Sequence, residues 1–365
     1  MAATKIIVTD LASFLAALST ASGQDTTCIS IELPGPNVLS VSSTITLPTT
    51  LGNSKKQLII EGNGVTIKPN TAAGLGAGVP LMSKAAALSQ NSYVIKDINF
   101  DGLGSSSTGL DINFSVGTII DNCRFDSLQD GLILTSVFNS TVRDCQAVSI
   151  NNYGYNVLGS SNIGFNNTSF TGASITNSIG FYIKQSLSIS LTNCSAGNGN
   201  KLVQFDSNGD ATVNNFFINN ITLGQWNTIA IDLKLSTGFV KIDGLYTNQG
   251  GIASGASLIN GDCYALAAYP NPHLYVENIP YLNNKVLFQT VAGMVPGCNP
   301  TVPSDAVVWS FKEVYTNGVD LFSASRWVGP TGYAGLIPYY RYSEVFDESK
   351  TIVTNYMKVN SNIIS

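Results

Sequence analysis

The sequence predicts an all-β protein: a right-handed, single-stranded parallel β-helix with an N-terminal capping helix and a β-rich C-terminal domain. Three observations support this fold class. A unit of 22–27 residues recurs along the chain, apolar and polar residues alternate within each unit, and only 11% of the 365 residues are charged. Asn, Ser, Thr and Gly must therefore solvate much of the surface, which favours turns and strands over helices.

Each repeat is anchored on an Asn or Asp. Positions two before and three after this anchor are apolar, while the position two after it is polar, so the alternation is interrupted at the anchor. A bend there restores it, and Asn and Asp tolerate the left-handed backbone that such a bend requires. Each coil buries only one row of side chains, so coils must stack to close a core. The anchors are Asp97, Asn122, Asp144, Asn167, Asn193 and Asn220.

Residues 1–27 are predicted to cap the β-helix. From Asp10 to Ala21, apolar residues recur at helical spacing, and Asp10 or Thr9 supplies the N-cap. The predicted apolar face consists of Leu11, Phe14, Leu15 and Leu18. A helix at this place would cover the open end of the core and block strand pairing with other molecules.

The β-helix itself is predicted to occupy residues 28–250. From about Ile252 the repeat spacing is lost, and prolines and aromatic residues become frequent. Residues 251–365 are therefore predicted to form a separate β-rich domain for oligomerisation or binding. Its aromatic residues could form a core, a sugar-binding surface or an oligomer interface, because Tyr, Trp and Arg are enriched at contacts. The predicted ligand-binding residues are Trp327, Tyr339, Tyr340 and Arg341.

Three segments resemble the opening of the pectate-lyase-like β-helix superfamily. They are IELPG at 31–35, ITLP at 45–48 and LIIEGNGVTI at 58–67. The resemblance covers roughly residues 5–250 and concerns the fold. Phage tailspikes and many polysaccharide-degrading enzymes belong to this superfamily, so the resemblance implies either a spike or an enzyme that acts on polysaccharides.

The catalytic motifs of two enzyme groups in this superfamily are absent from the repeats. Polygalacturonase-like members carry paired Asp residues with a Gly-His-Gly, but the single histidine, His273, lies outside the repeats. Pectate lyases use a calcium cluster of carboxylates beside an Arg, and no Asp-rich strand with an Arg one coil away stands out. No cofactor and no metal site are therefore predicted.

The remaining catalytic candidates are Asp101 and Asp126, which both follow their anchors by four residues. They should stack on neighbouring coils about 5 Å apart. Two such carboxylates could share a proton, bind Ca²⁺, or act as acid and nucleophile on a glycoside. Asp130 is close in sequence and could join them. The alternative is that these are turn residues, since Asp before Gly102 is ordinary turn chemistry.

Two further columns of residues follow from the repeat. Cys123, Cys145 and Cys194 share one inward position and are predicted to be free, buried thiols. Cys28 is also expected in the core, and a bridge between Cys263 and Cys298 is left open. Lys96, Asp121 and Arg143 precede successive anchors and should form a surface column of ion pairs.

Taken with the neutral polar surface, the missing catalytic residues and the aromatic terminal segment, the superfamily resemblance implies a structural or receptor-binding spike of a bacteriophage-type virion. A net charge of −5 and only four arginines argue against nucleic acid as a partner. No transmembrane or secretory segment is apparent, so we expect no membrane insertion and a location on the virion surface, or outside the cell without a cleaved signal. The expected partners are a cell-surface polysaccharide or receptor, other virion proteins, and two further copies in a homotrimer. The alternatives are a polysaccharide lyase or glycoside hydrolase, and a cell-surface adhesin.

Overall fold

Short strands joined by bends wind the chain into a parallel β-solenoid of about 8 turns, with 69% strand and one short helix. The computed structural model describes residues 4–23, 28–33, 35, 37–49, 57–85, 91–207, 214–235, 238–251, 253, 256–263, 273–282, 288–290, 308–316, 327–328, 340–346 and 352–358. The predicted fold class is confirmed. Two compact units divide the chain: unit 1 comprises residues 1–182 and unit 2 residues 183–365.

The helix α1, Leu11–Gly23, begins after an N-cap at Asp10. The Ser13 amide donates to Asp10 Oδ1 at 2.8 Å, and hydrogen bonds from Ser13 lower the pKa of the Asp10 carboxyl. Phe14 and Leu18 are buried, as predicted, but Leu15 is exposed. Leu15 lies four residues after Leu11, on the flank of the apolar face, and the helix turns this flank toward solvent.

The described residues of unit 1 form sixteen strands, and the last of these continues into unit 2. They are β1 Thr4–Ile7, β2 Cys28–Glu32, β3 Val38–Val41, β4 Ile45–Leu47, β5 Gln57–Pro69, β6 Pro80–Lys84, β7 Ser92–Asp101, β8 Thr108–Val116, β9 Ile119–Asp121, β10 Arg124–Asp126, β11 Asp130–Arg143, β12 Gln146–Ile150, β13 Tyr153–Leu158, β14 Ser161–Asn166, β15 Ser169–Gly172 and β16 Ile179–Lys184.

Parallel pairing arranges the strands of unit 1 in three walls. Wall A contains β1, β2, the start of β5, the start of β7, β9, the end of β11 and β14. Wall B contains β3, the end of β5, the end of β7, β10, β12 and β15. Wall C contains β4, β6, β8, the start of β11 and β13. Inward residues from all three walls fill the core.

Unit 2 repeats the arrangement with longer strands. They are β17 Leu187–Thr192, β18 Ser195–Gly197, β19 Gly199–Asp206, β20 Asn214–Leu235, β21 Gly238–Gly251, β22 Ser257–Cys263, β23 His273–Leu282, β24 Phe288–Thr290, β25 Val308–Thr316, β26 Trp327–Val328, β27 Tyr340–Phe346 and β28 Ile352–Lys358. Wall A of this unit holds β17 and the starts of β20, β21 and β23. Wall C holds β19, the end of β20, β22, β24 and β26.

Parallel pairing continues past residue 250, where the sequence repeat is lost. β23 pairs with β21, β25 with β23 and β27 with β25, all in parallel, and β28 then pairs with β27 in antiparallel orientation. The described strands of residues 251–365 are thus β-structure, as expected. The predicted boundary of a separate domain at residue 250 stays a prediction.

The bend between walls A and B is made by the anchors, as the sequence predicts. All six have positive φ, from 47° at Asn122 to 61° at Asn220. Their side chains form a ladder: Asn122 Nδ2 donates to Asp97 Oδ1 at 2.6 Å, and Asn167 Nδ2 donates to Asp144 Oδ1 at 2.6 Å. Asn and Asp therefore serve twice, as bend formers and as rungs between coils.

The core confirms the predicted inward column of cysteines. Cys123, Cys145 and Cys194 are buried thiols that form no disulfide. Aromatic rings stack between coils beside them, and Phe100 and Phe125 have ring centroids 5.3 Å apart. The side chains of Cys28 and Cys263, and all of Cys298, lie outside the described part of the chain.

The predicted column of surface charges is present on wall A. Arg143 Nη2 lies 2.7 Å from Asp121 Oδ2. Lys96 pairs with Glu61 of the preceding coil, and Lys96 and Asp121 are in register. These pairs are solvated, so each contributes little to stability.

Candidate functional site

Asp101 and Asp126 stack in register on wall B, as predicted from their distance to the anchors. Their carboxylates nevertheless have separate local partners. Asp101 Oδ1 accepts from the Leu103 amide at 2.8 Å, and Leu103 has a φ of 55°. This contact is the turn chemistry that was the alternative interpretation for Asp101.

Asp126 is bound to the guanidinium two residues before it. Arg124 donates to Asp126 Oδ2 from Nε at 3.1 Å and from Nη2 at 2.7 Å. Ser127 Oγ donates to the other carboxylate oxygen at 2.9 Å. A paired contact of this kind fixes the plane of a guanidinium. Asp126 therefore positions Arg124.

Asp130 lies at the start of wall C and has different partners from Asp101 and Asp126. Its carboxylate accepts from Asn152 Nδ2 at 2.9 Å and from the Tyr153 amide at 3.2 Å. The residue is 8% exposed, and burial raises the pKa of its carboxyl. Among the described residues, no hydrogen bond joins Asp130 to Asp101 or Asp126. Catalysis by the three carboxyls stays a prediction.

A polar groove of about 530 Å³ follows the bend between walls A and B of unit 1. One side is formed by Asn63 and by the anchors Asp97, Asn122 and Asp144. The other side is a row of polar residues on wall B, Asn99, Arg124 and Gln146, which are in register on three successive coils. Gly64 and Cys123 complete the lining. We call this surface the anchor groove.

Arg124 is the central cation of the anchor groove. Asp126 holds its guanidinium on one side, and Nη1 donates to Gln146 Oε1 at 3.1 Å on the other. The side chain remains 42% exposed. The groove thus presents amide donors and acceptors, carboxylate acceptors and guanidinium donors at spacings set by the coils. Such a set suits a ligand with many hydroxyl groups.

Wall C carries a second polar cluster that sequence reasoning missed. Asp111, Ile133 and Asn156 are in register on three successive coils. Burial raises the pKa of Asp111 to about 6, and a hydrogen bond from Asn113 Nδ2 at 2.9 Å opposes this shift. Asn156 is 8% exposed, and its Oδ1 has no hydrogen-bond partner among the described residues. Alternation assigns these residues to the outer face but does not reveal which outer residues lose their water.

Two tyrosines stack on the same wall, next to Asp130. The rings of Tyr153 and Tyr182 have centroids 4.8 Å apart and are inclined by 13°. Burial and the charge of Asp130 both raise the pKa of Tyr153. We call Asp111, Asp130, Tyr153, Asn156 and Tyr182 the wall C cluster. Perturbed carboxyls beside aromatic rings are frequent at functional sites.

The predicted C-terminal ligand-binding residues cannot be placed in a site. Trp327, Tyr340 and Arg341 lie in β26 and β27, whose backbone alone is described. Tyr339 lies outside the described residues.

The described part of the chain contains no group of three or more His, Cys, Asp or Glu side chains arranged to hold a metal ion. Nor does any helix in that part have the length and apolar character needed to cross a membrane.

Comparisons with known proteins add information on the fold. No protein-family model matches the chain, and no curated protein matches it. Among solved structures, the tailspike gp42 of Acinetobacter phage vb_AbaP_AS12 is 10% identical with a TM-score of 0.51; the match covers 91% of this chain and 60% of the tailspike.

Two enzymes are also similar. The periplasmic alginate epimerase AlgG is 13% identical with a TM-score of 0.48, and the match covers 94% of this chain and 83% of the epimerase. The catalytic domain of a GH87 α-1,3-glucanase, solved with nigerose, is 12% identical with a TM-score of 0.47. The match covers 86% of this chain and 64% of the glucanase domain. The chain shares the parallel β-helix fold with the tailspike. This chain spans 60% of the length of the tailspike that it matches.

Proposed function

We propose that this protein is a spike of a bacteriophage-type virion that binds a glycan or glycan-bearing receptor on the host surface. The observation that carries the proposal is the anchor groove, in which amide, carboxylate and guanidinium groups line about 530 Å³ of concave surface. The fold shared with a phage tailspike supports the choice of a virion over other locations. Because one fold can serve many functions, the proposal depends on the groove and not on the fold.

A glycan fits the anchor groove in both shape and chemistry. The polar rows repeat with the coils, at steps of about 4.8 Å, so the groove is an extended, regularly spaced surface. Asn99, Arg124 and Gln146 offer donors and acceptors on three coils in succession. A chain of hydroxyl-bearing units can use such a row repeatedly. The contact is polar throughout and needs no cofactor.

The test is binding to capsular polysaccharides purified from a panel of bacterial strains. Arg124→Met removes the central cation, while Arg143→Met is its matched control. Arg143 also pairs with an aspartate, lies in the neighbouring coil and is similarly exposed, but it does not line the groove. We expect Arg124→Met to weaken binding about ten-fold or more, the effect of losing a charge-assisted hydrogen bond, and Arg143→Met to leave it unchanged. Equal affinities of the two variants, or no binding of the parent protein to any member of the panel, would contradict the proposal.

A depolymerising spike is the second candidate function. The register of Asp126 with Asp101 favours it, since it brings two carboxyl-bearing positions onto adjacent strands, as does the raised pKa of the buried Asp130. In this case the bound polysaccharide would also be shortened, and Asp126→Asn would abolish shortening while the protein stays folded. Unchanged shortening in Asp126→Asn would exclude Asp126 as the catalytic residue.

The remaining parts of the proposal concern assembly and location. A homotrimer, contact with other virion proteins and a place at the virion surface are what a spike requires. If the protein acts away from a virion, we propose an extracellular location reached without a cleaved signal. The aromatic residues of the segment after residue 251 support a role in these contacts.

A further inference from the structure

Two carboxylates line the anchor groove without a cation in contact. Asp97, which is half-buried, and Asp144, which is exposed, are anchors on alternate coils. Oδ1 of Asp97 accepts from Asn122 Nδ2, and Oδ1 of Asp144 accepts from Asn167 Nδ2. The Oδ2 atom of each carboxylate has no hydrogen bond or ion pair with any described residue. Each carboxylate therefore has one oxygen left for a ligand.

Arg124 does not offset these two charges, because it has a carboxylate partner of its own. Its Nε and Nη2 donate to Asp126 Oδ2 at 3.1 and 2.7 Å. The guanidinium and this carboxylate form a pair without net charge. Among the described residues, Arg124 is the only cation that lines the groove. The groove therefore keeps the negative charge of Asp97 and Asp144.

The cations that precede these two anchors in sequence belong to the ion pairs of wall A. Lys96 pairs with Glu61, and Arg143 pairs with Asp121. On walls A and B, the four coils that build the groove carry six acidic and four basic residues, a net charge of −2. A negative surface of this kind repels an acidic ligand. The acidic residues are Glu61, Asp97, Asp101, Asp121, Asp126 and Asp144, and the basic residues are Lys68, Lys96, Arg124 and Arg143.

We propose that the anchor groove selects neutral glycans and rejects acidic polysaccharides. The Oδ2 atoms of Asp97 and Asp144 only accept hydrogen bonds, and sugar hydroxyl groups supply the donors that they need. The two anchors are two coils apart, roughly 10 Å, so one extended sugar chain can reach both. A uronate, sulfate or phosphate group on such a chain would lie near a carboxylate that has no cation in contact, and repulsion would oppose binding. The inference rests on the proposed function, because it names the class of glycan that the same groove takes.

The test compares polysaccharides that differ only in their carboxyl groups. Each acidic member of the capsular panel is measured in its native form and after carbodiimide activation and borohydride reduction, which convert uronic acids into neutral sugars. Each neutral member that binds is measured again after oxidation of its primary alcohols to carboxylates. By biolayer interferometry at physiological salt, we expect the neutral form of each pair to bind about ten-fold more tightly or better. This preference should shrink at about 1 M salt.

Two variants separate the effect of charge from the effect of shape. Asp97→Asn and Asp144→Asn each remove one charge at nearly constant size. Asn fits this position, since Asn193 accepts from Asn220 Nδ2 in the same ladder. Asp10→Asn is the matched control, because Asp10 is exposed and lies outside the groove, and Asn caps a helix as well as Asp does. Each groove variant should lower the preference for the neutral form about three-fold, and Asp10→Asn should leave it unchanged.

Two results would overturn the inference. One is tighter binding of the acidic form of a pair by the parent protein, and the other is a preference that neither groove variant changes. Either result leaves the proposed function standing, since the protein still binds a glycan. If no polysaccharide binds in either form, the proposed function itself fails, and the inference fails with it.

Discussion

Ile120 and Ser169 show how the position of a residue in a coil determines what can replace it. Ile120 is fully buried on wall A, and Ser169 lies at an outward, half-buried position on wall B. Ile120→Asn places an amide in the core without a partner, which should cost about 3–5 kcal/mol. Ser169→Asn should be nearly neutral. Equal melting temperatures for the two variants would contradict the proposed register.

Asp111 gives a pH dependence with a defined sign. Its pKa rises from 3.8 to about 6 in the folded protein because the carboxyl is buried. The folded state therefore binds more protons than the unfolded state between about pH 4 and pH 6, and stability falls as the pH rises through this window. Asp111→Asn removes this loss and keeps the acceptor that Asn113 uses.

The measurement for Asp111 is thermal unfolding of parent and variant at pH 4 and pH 7. Between pH 4 and pH 7, we expect the free energy of unfolding of Asp111→Asn to rise by about 1 kcal/mol relative to that of the parent. This is less than the whole pKa shift would give, because the carboxyl remains partly solvated. A difference between the two proteins that does not change with pH would show that Asp111 is not desolvated.

Sequence reasoning succeeds for single residues where local backbone geometry dictates the residue type. The anchors Asp97 and Asn122 could be predicted because a left-handed bend strongly restricts what can occupy it. Lys84 could not be predicted, since it is fully buried and donates from Nζ to the carbonyl oxygens of Asn113 and Phe114 at 2.6 and 2.8 Å. These partners belong to the next coil of the wall, and their proximity follows from stacking.

A column of glycines on wall C allows strands of neighbouring coils to pack closely. A Cβ at Gly131, at the start of wall C, would lie 2.5 Å from the carbonyl oxygen of Gly154 on the next coil. A Cβ at Gly197, in β18, would lie 3.4 Å from its nearest neighbour, Gly224 Cα. Gly131→Ala should therefore force adjacent strands apart and cost about 1–3 kcal/mol.

The control for this prediction is Gly197→Ala, which should change the free energy of unfolding by less than about 0.5 kcal/mol. Denaturant unfolding of both variants gives the comparison. A Gly131→Ala protein as stable as Gly197→Ala would mean that the strands of wall C are not packed as closely as described.

At the scale of elements, the sequence predicts one of two ladders. The anchor ladder stands out because its flanking positions are apolar at a fixed spacing. A second ladder, Asn162 Nδ2 to Asn139 Oδ1 at 2.9 Å, joins residues that also have positive φ. It precedes wall A, where the spacing of flanking residues is less regular, so the sequence pattern did not reveal it.

For the molecule as a whole, the prediction is a homotrimer held largely by the region after Ile252. That region contains ten of the 15 tyrosines and two of the three tryptophans, residue types that favour contacts between proteins, and strand edges require cover. Light scattering at micromolar concentration should give three times the mass of one chain, and truncation after Asn248 should abolish the trimer. A monomeric full-length protein would contradict the prediction, and a trimeric truncated protein would place the contact on the walls.

The candidate site could be predicted less completely than the fold. The spacing predicts that Asp126 lies beside Asp101 as a catalytic candidate, and the register of the strands agrees with that spacing. Its bond to Arg124 depends on side-chain geometry, which spacing does not specify. The anchor groove arises only when four coils are stacked, so its lining residues are scattered through more than 80 positions of the sequence, from Asn63 to Gln146.

The structure of the protein bound to an oligosaccharide of the polysaccharide that it selects from the panel tests the central claim most directly. We expect sugar hydroxyl groups within about 2.7–3.2 Å of the polar atoms of Asn99, Arg124 or Gln146, with the sugar chain running along the anchor groove. An oligosaccharide found only at the wall C cluster, or only beyond residue 251, would contradict the claim that the anchor groove is the glycan-binding surface.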